Sequence, residues 1–290
     1  MATTTLGAVP SLVPLFVRGA LLSPAKRPRP EAEFARERLV VPGLRVDLAR
    51  LSAYERVCGF ATGDDSLPVT YPHVLGFPLA MRLMSARSFP LPLLGLVHTS
   101  IEISRYETLA ATGVYELGVH VEGLAAHRRG TEASVVTELR RDGGLVWESR
   151  STYLARHRTT DAPGKAADVT SESVPLPVLD EWRLAGDVGR RYAAASGDRN
   201  PIHLHPLTAR LFGFPRAIAH GMWTAARSLA AQGTPPAVRV RAEFRAPVLL
   251  PSAVVFASDG SRFELRARGR DGEAGRVHVS GRVDALTGRP

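Results

Sequence analysis

The same order of elements is written twice along this chain, and that duplication constrains the fold more than any other feature. In the second half, helical character over 187–196 and 221–232 precedes strand-like stretches over 238–244, 253–258, 262–269 and 276–283. The first half repeats the plan, with helical stretches over 51–62 and 78–86 and strands over 97–103, 115–121, 133–140 and 145–154. Several of these strands alternate apolar and polar residues, as in Val238-Arg239-Val240-Arg241-Ala242-Glu243-Phe244, the period-two pattern of a half-buried strand. Asp142-Gly143-Gly144, Asp259-Gly260 and Asp271-Gly272 mark tight turns between consecutive strands, which is meander chemistry. Helices first and an antiparallel meander after, twice over, implies an α+β chain in which a sheet covers a helix to bury its apolar face.

The polar, small-residue segment 159–175 reads as a linker between the repeats. The expected organisation is therefore an N-terminal arm over 1–35, a first half over 36–158, the linker, and a second half over 176–290. The apolar stretch 6–22 contains Pro10 and Pro14 and is broken by Arg18, so it reads as a packed arm rather than a spanning helix. No membrane span is expected elsewhere.

Composition removes several classes of function. One cysteine, Cys58, excludes an internal disulfide framework, fits a reducing cytoplasmic compartment, and leaves no cysteine metal cluster. The nine histidines contain no HExxH-type pair, so no metal is expected. The formal charge of +9 invites a nucleic-acid reading, but lysine occurs only at Lys26 and Lys165 and the arginines are scattered, without a basic block interleaved with aromatics. The basic surface suits an acidic carrier domain or the phosphates of a coenzyme better than a nucleic acid.

The run Ser196-Gly197-Asp198-Arg199-Asn200-Pro201-Ile202-His203 carries the chemistry. Gly197 ends a helix, and Asn200-Pro201 forbids helix at Asn200 and sets a bend. A carboxylate and an imidazole five residues apart on the arms of that bend can converge on one water, the imidazole taking its proton and the carboxylate orienting it. Taken singly, Asp198 is also a plausible cap and Asn200-Pro201 a plain turn.

The whole string resembles the signature of the MaoC-like, hydratase 2 family. That resemblance implies a double hotdog, each half a long antiparallel sheet wrapped around a central helix. It also implies reversible hydration of trans-2-enoyl thioesters, or dehydration of (R)-3-hydroxyacyl thioesters. Carried onto this chain, the acid–base pair becomes Asp198 and His203, with Asn200 in support. Ala219-His220-Gly221-Met222 resembles the family's entry to the central helix, so the Gly221 N–H becomes the donor to the thioester carbonyl. A helix N-terminus offers unpaired N–H groups and a favourable dipole there. His220 reads as a packed histidine, and Thr224 and Ser228 as hydroxyls bonded to helix carbonyls. No cofactor is implied beyond the coenzyme A or phosphopantetheine of the substrate, which arrives as acyl-CoA or on an acyl carrier protein.

Over its length the chain is similar to double-hotdog 3-hydroxyacyl-thioester dehydratases of actinobacterial type, with 67–78 a feature of that subgroup. The first half keeps Asp64 but has Ser66 and Val69 where Asn and His would stand. It is therefore expected to hold the acyl chain, helped by the apolar stretch 75–84, and not to catalyse. His205 departs from the Asp that many family members carry two residues after the catalytic His. One active site per chain follows, in a monomer of two hotdog halves or a homodimer. A hotdog thioesterase and a non-catalytic acyl-binding protein are the alternatives.

Overall fold

The computed structural model describes residues 1–159, 175–269 and 275–287. The expected linker lies almost wholly outside them. The chain forms two compact units: Met1–Leu44, Leu75–Ser100 and Tyr115–Pro175 build the first, and Arg45–Val74, Ile101–Val114 and Leu176–Pro290 the second. The units thus interleave in sequence, because 45–74 and 101–114 join the second rather than the first.

In the first unit, β1 (Ala2–Thr5) runs parallel to β2 (Glu37–Arg45), and β2 neighbours β4 (Val114–His127). β4 pairs antiparallel with β5 (Gly130–Arg141), which pairs antiparallel with β6 (Gly144–Arg156). Asp142 at φ 52° and Gly143 at φ 79° make the β5–β6 turn where the sequence placed it. α1 (Leu12–Leu22) occupies much of the segment read as an arm. α3 (Tyr71–Met84) contributes Leu79, Ala80, Met81, Leu83 and Met84 to the apolar core, which Leu117, Val119, Leu139 and Trp147 complete from the sheet. A Cβ on Gly76 would stand 2.4 Å from the Thr137 methyl, so glycine sets how closely α3 approaches β5.

In the second unit the strand order is β8 (Val238–Phe244), β11 (Val277–Ala285), β10 (Arg262–Ala267), β9 (Ser252–Ser258) and β7 (Val178–Leu184), antiparallel at each step. The end of β3 (Val97–Arg105) lies beside β8, where Glu102 pairs with Arg241 at 2.6 Å. α6 (Gly221–Gln232) packs on β10 and β11. Its buried face, Met222, Trp223, Ala225, Ala226 and Leu229, meets Val240, Phe263 and Leu265 in the core. α2 (Leu48–Cys58) packs against α4 (Val188–Ser196), with Tyr54 and Tyr192 ring centroids 5.9 Å apart and the Trp223 indole donating to the Val57 carbonyl at 2.8 Å. Among the described residues no helix is long and apolar enough to cross a membrane.

Two helix boundaries differ from the sequence reading. α2 stops at Cys58 because Gly59 takes φ 79° and caps it, so the helix does not reach residue 62. α3 begins at Tyr71, seven residues ahead of Pro78, which sits inside it. A proline removes only one ladder hydrogen bond, and the burial of this helix outweighs that loss.

Candidate active site

The residues read as the acid–base site, Asp198, Asn200, His203 and Gly221, all lie in the second unit, between the end of α4 and the start of α6. Gly197 at φ 83° terminates α4 in the left-handed conformation. The Ser196 hydroxyl donates to the Tyr192 carbonyl at 2.8 Å and accepts from the Asp198 N–H at 3.2 Å, so the chain leaves the helix on a defined path. Asp198 Oδ1 accepts from the Asn200 N–H at 3.2 Å. The Asn200 side chain in turn caps a 3-10 turn, Pro201–His203, by accepting from the Ile202 N–H. These local bonds hold the bend that the sequence predicts and present Asp198 and His203 from its two sides.

His203 is buried, and its Nδ1 lies 2.8 Å from the Ile218 carbonyl oxygen. A carbonyl only accepts, so Nδ1 carries the proton and Nε2 keeps its lone pair. Burial holds the His203 pKa below the usual imidazole value, against the opposing pull of Asp198. Burial likewise raises Asp198, partly offset by His203 and the Asn200 N–H. The two shifts have one main cause, burial, and move the carboxyl and the imidazole toward each other in pKa.

His220 completes the cluster. Its ring stacks on His203 with centroids 3.7 Å apart, and Nε2 donates to the Asp198 main-chain carbonyl at 2.9 Å. It is 2% exposed, and burial together with His203 keeps its pKa well below the normal value. It is a packed histidine, as its sequence context implied, and what it packs on is His203 and the Asp198 backbone. Nothing in the residue pattern announces that role, because its partner is a backbone carbonyl. The same holds for Ile218, whose carbonyl fixes the His203 tautomer. Gly189 is a further hidden requirement: a Cβ there would lie 2.1 Å from the His203 carbonyl oxygen.

The start of α6 is placed by main-chain bonds. Ile218 N–H donates to Ile202 O, Ala219 N–H to Val248 O, and Leu250 N–H to Ala217 O. Gly221 follows as the first residue of the helix, where N–H groups have no intrahelical acceptor. Its bare Cα lies against the Phe244 ring, 3.0 Å from where a Cβ would sit. Thr224 Oγ donates to the Gly221 carbonyl and Ser228 Oγ to the Thr224 carbonyl, so both hydroxyls are used within the helix. His205 caps a short helix, α5 (Pro206–Leu211), by accepting from the Leu207 N–H at 3.2 Å.

The matching stretch of the first half lines a different cavity. Asp64, Ser66 and Val69 border a space of about 180 Å³ together with Glu55 and Arg105, and no imidazole faces it. Asp64 is exposed, unlike Asp198.

Asp198, His203 and His220 each offer one ligand atom within 4.8 Å of the others, which is the composition of a small metal site. With His203 Nδ1 and His220 Nε2 engaged by carbonyls, the remaining nitrogens are His203 Nε2 and His220 Nδ1.

Residues 172–287 match the model of the MaoC like domain. The chain is 38% identical over 226 residues to 3-hydroxyacyl-thioester dehydratase X of Mycobacterium tuberculosis, covering 77% of this chain and 80% of that protein. It belongs to the MaoC-like dehydratase family. The crystal structure of HtdX from Mycobacterium tuberculosis superposes with a TM-score of 0.72 at 34% identity, over 86% of this chain and all of that one. A Mycobacterium tuberculosis protein described as having a double hotdog fold superposes with a TM-score of 0.53 at 16% identity, over 84% of this chain and 93% of its own, a likeness of fold. The two sheet-and-helix units of this MaoC-like chain are thus a double hotdog.

Proposed function

We propose that this chain is a hydro-lyase that interconverts trans-2-enoyl thioesters and (R)-3-hydroxyacyl thioesters. The observation that carries the reading is the Nδ1–H of His203 pinned on the Ile218 carbonyl, which leaves Nε2 as a free base beside Asp198. In hydration, Asp198 orients a water and His203 Nε2 takes one of its protons as the water oxygen bonds to Cβ. The Cα–Cβ π bond breaks while the σ bond stays, and negative charge builds on the thioester oxygen. The Gly221 N–H, at the positive end of α6, stabilises that charge. The proton on His203 is then delivered to Cα, so one water is consumed and the pair returns to its starting state. Dehydration is the reverse. His220 positions the pair by holding the Asp198 backbone and does not touch the reacting atoms.

No metal or redox group is needed for this balance, and we propose that none takes part. The thioester handle is that of coenzyme A or the phosphopantetheine of a carrier protein, and the first half of the sequence, 36–158, holds the acyl chain in this reading. The single cysteine, Cys58, is buried and unpaired, in keeping with a cytoplasmic protein. Two hotdog units in one chain make a monomer sufficient for the site proposed here.

The test is loss of the conjugated enoyl absorbance on adding the protein to a trans-2-enoyl-CoA, before and after exhaustive dialysis against a chelator. Equal hydration in both, giving the (R)-alcohol without free thiol, is the expected outcome. Thiol release without hydration identifies a thioesterase instead, and activity lost to the chelator and restored by zinc overturns the metal-free mechanism.

A further inference from the structure

α1 buries one face and leaves the other uncovered. Leu15 and Gly19 face inward, where Leu93 packs on Gly19 and Phe16 meets Phe77 with centroids 6.2 Å apart. On the outer face Val13, Val17 and Leu21 are 63%, 55% and 76% exposed. Spaced by four residues, they form one stripe along the helix. With Pro14, Leu22, Arg18 and Arg87 they line a surface groove of about 670 Å³, and Leu94 is exposed near the end of the helix, where its N–H meets Ser23. An apolar stripe of this kind on a folded surface marks something that covers it.

The charged residues that line the groove, Arg18 and Arg87, are both cations. Residues 1–30 contain Arg18, Lys26, Arg27 and Arg29 and no Asp or Glu; residues 75–100 contain Arg82 and Arg87 and again no acid. The cationic heads are held, but not by carboxylates. Arg18 Nη2 donates to the Arg82 carbonyl and the Ser85 hydroxyl, and Lys26 Nζ donates to the carbonyls of Ala86, Arg87 and Phe89. Among the described residues none of Arg18, Lys26 and Arg87 is in an ion pair, so their charge is available to an anionic partner. Burial, and after it the nearby Arg87 charge, push the Lys26 pKa down.

We propose that this face of α1 docks on an anionic lipid surface. An 11-residue helix is about 16 Å long, too short to span a bilayer but suited to lying in its interface. The stripe is purely aliphatic, without the Tyr, Trp or Met anchors or the hydrogen-bonding groups that enrich protein interfaces. The surrounding cations meet phosphate headgroups without needing a matched array of acids, and each adds to binding through the surface potential. Acidic proteins share the charge but not the preference for a featureless aliphatic strip.

The experiment pellets the full chain with vesicles of phosphatidylcholine alone and of phosphatidylcholine with about one third phosphatidylglycerol. Binding to the anionic vesicles, weakened by salt and nearly absent on the neutral ones, is expected. The V13S/V17S/L21S triple variant should lower that binding by at least ~10-fold while keeping its melting temperature and its hydration of enoyl-CoA. Val17→Asp alone, a milder surface change, should act in the same direction. Absence of binding to anionic vesicles, or binding unchanged in the triple variant, overturns the proposal. It is equally overturned if vesicles are ignored while the triple variant abolishes a dimer in solution or the binding of an acidic carrier protein.

Discussion

At the scale of single residues, the proposed working unit is His203, whose tautomer is set by a main-chain oxygen. Burial lowers the His203 pKa, so the ring stays neutral to more acidic pH than a free imidazole does. Activity in the proposed mechanism needs that neutral ring and rises with pH through its folded-state pKa. The acid limb of kcat/KM is therefore expected below about pH 6.5, the unperturbed imidazole value. A pH–rate profile with its acid limb at or above that value would show that another group controls the reaction. Asp198, Asn200 and His203 are legible in the sequence because eight contiguous residues hold the helix end, the bend and both groups of the proposed acid–base pair. His220 binds a backbone carbonyl 22 positions away and Ile218 supplies its own to a ring 15 positions away, and such contacts leave no residue-type signal.

At the scale of elements, the site depends on how closely α4 approaches the turn that carries His203. Gly189 is the point of contact, and the neighbour it meets is backbone, which cannot rotate away. Gly189→Ala is expected to displace the turn, destabilising the protein by about 1–3 kcal/mol in chemical denaturation and lowering kcat more than it raises KM. Full activity and unchanged stability in that variant would mean that the turn shifts freely. Strand and helix signals were clearest where one face is buried and the other wet. The 221–232 helix and the 238–244 strand appear with the limits read from the sequence. β7 was missed because its run Val178-Leu179-Asp180-Glu181-Trp182-Arg183-Leu184 buries only Trp182 and Leu184, leaving little period-two pattern. α3 was placed too late because Pro78 reads as a helix start when it is an interior residue. The interleaving of the two units escaped sequence reading altogether, since chain order carries no mark of which sheet a helix will join.

At the scale of the whole molecule, the double-hotdog plan was legible from the repeated order of elements and from the motif. Only the second copy joins a half-buried Asp to a His; the first has Asp64 exposed and Val69 in the base position. Burial also makes the fold sensitive to acid. His73 is held neutral, its pKa pushed down to about 4 by burial, and His203 and His220 are shifted the same way. The unfolded chain protonates near pH 6.5 while the folded one does not, so this stability is present above that pH and is lost as pH falls through the folded values. His73 alone accounts for about 3 kcal/mol between pH 6.5 and 4. Melting temperature should therefore fall steeply below pH 6.5, and a flat profile down to pH 4 would contradict the buried-neutral assignment.

The central claim, that Asp198 and His203 form the single acid–base centre of the chain, is tested most directly by enoyl-CoA hydration in an Asp198→Asn, His203→Ala double variant. With folding verified by an unchanged circular dichroism spectrum, the rate should fall by at least ~10³-fold from that of the unaltered chain, and changing Asp64→Asn in the unaltered chain should leave it intact. Hydration undiminished in the double variant, or abolished by Asp64→Asn alone, would contradict it.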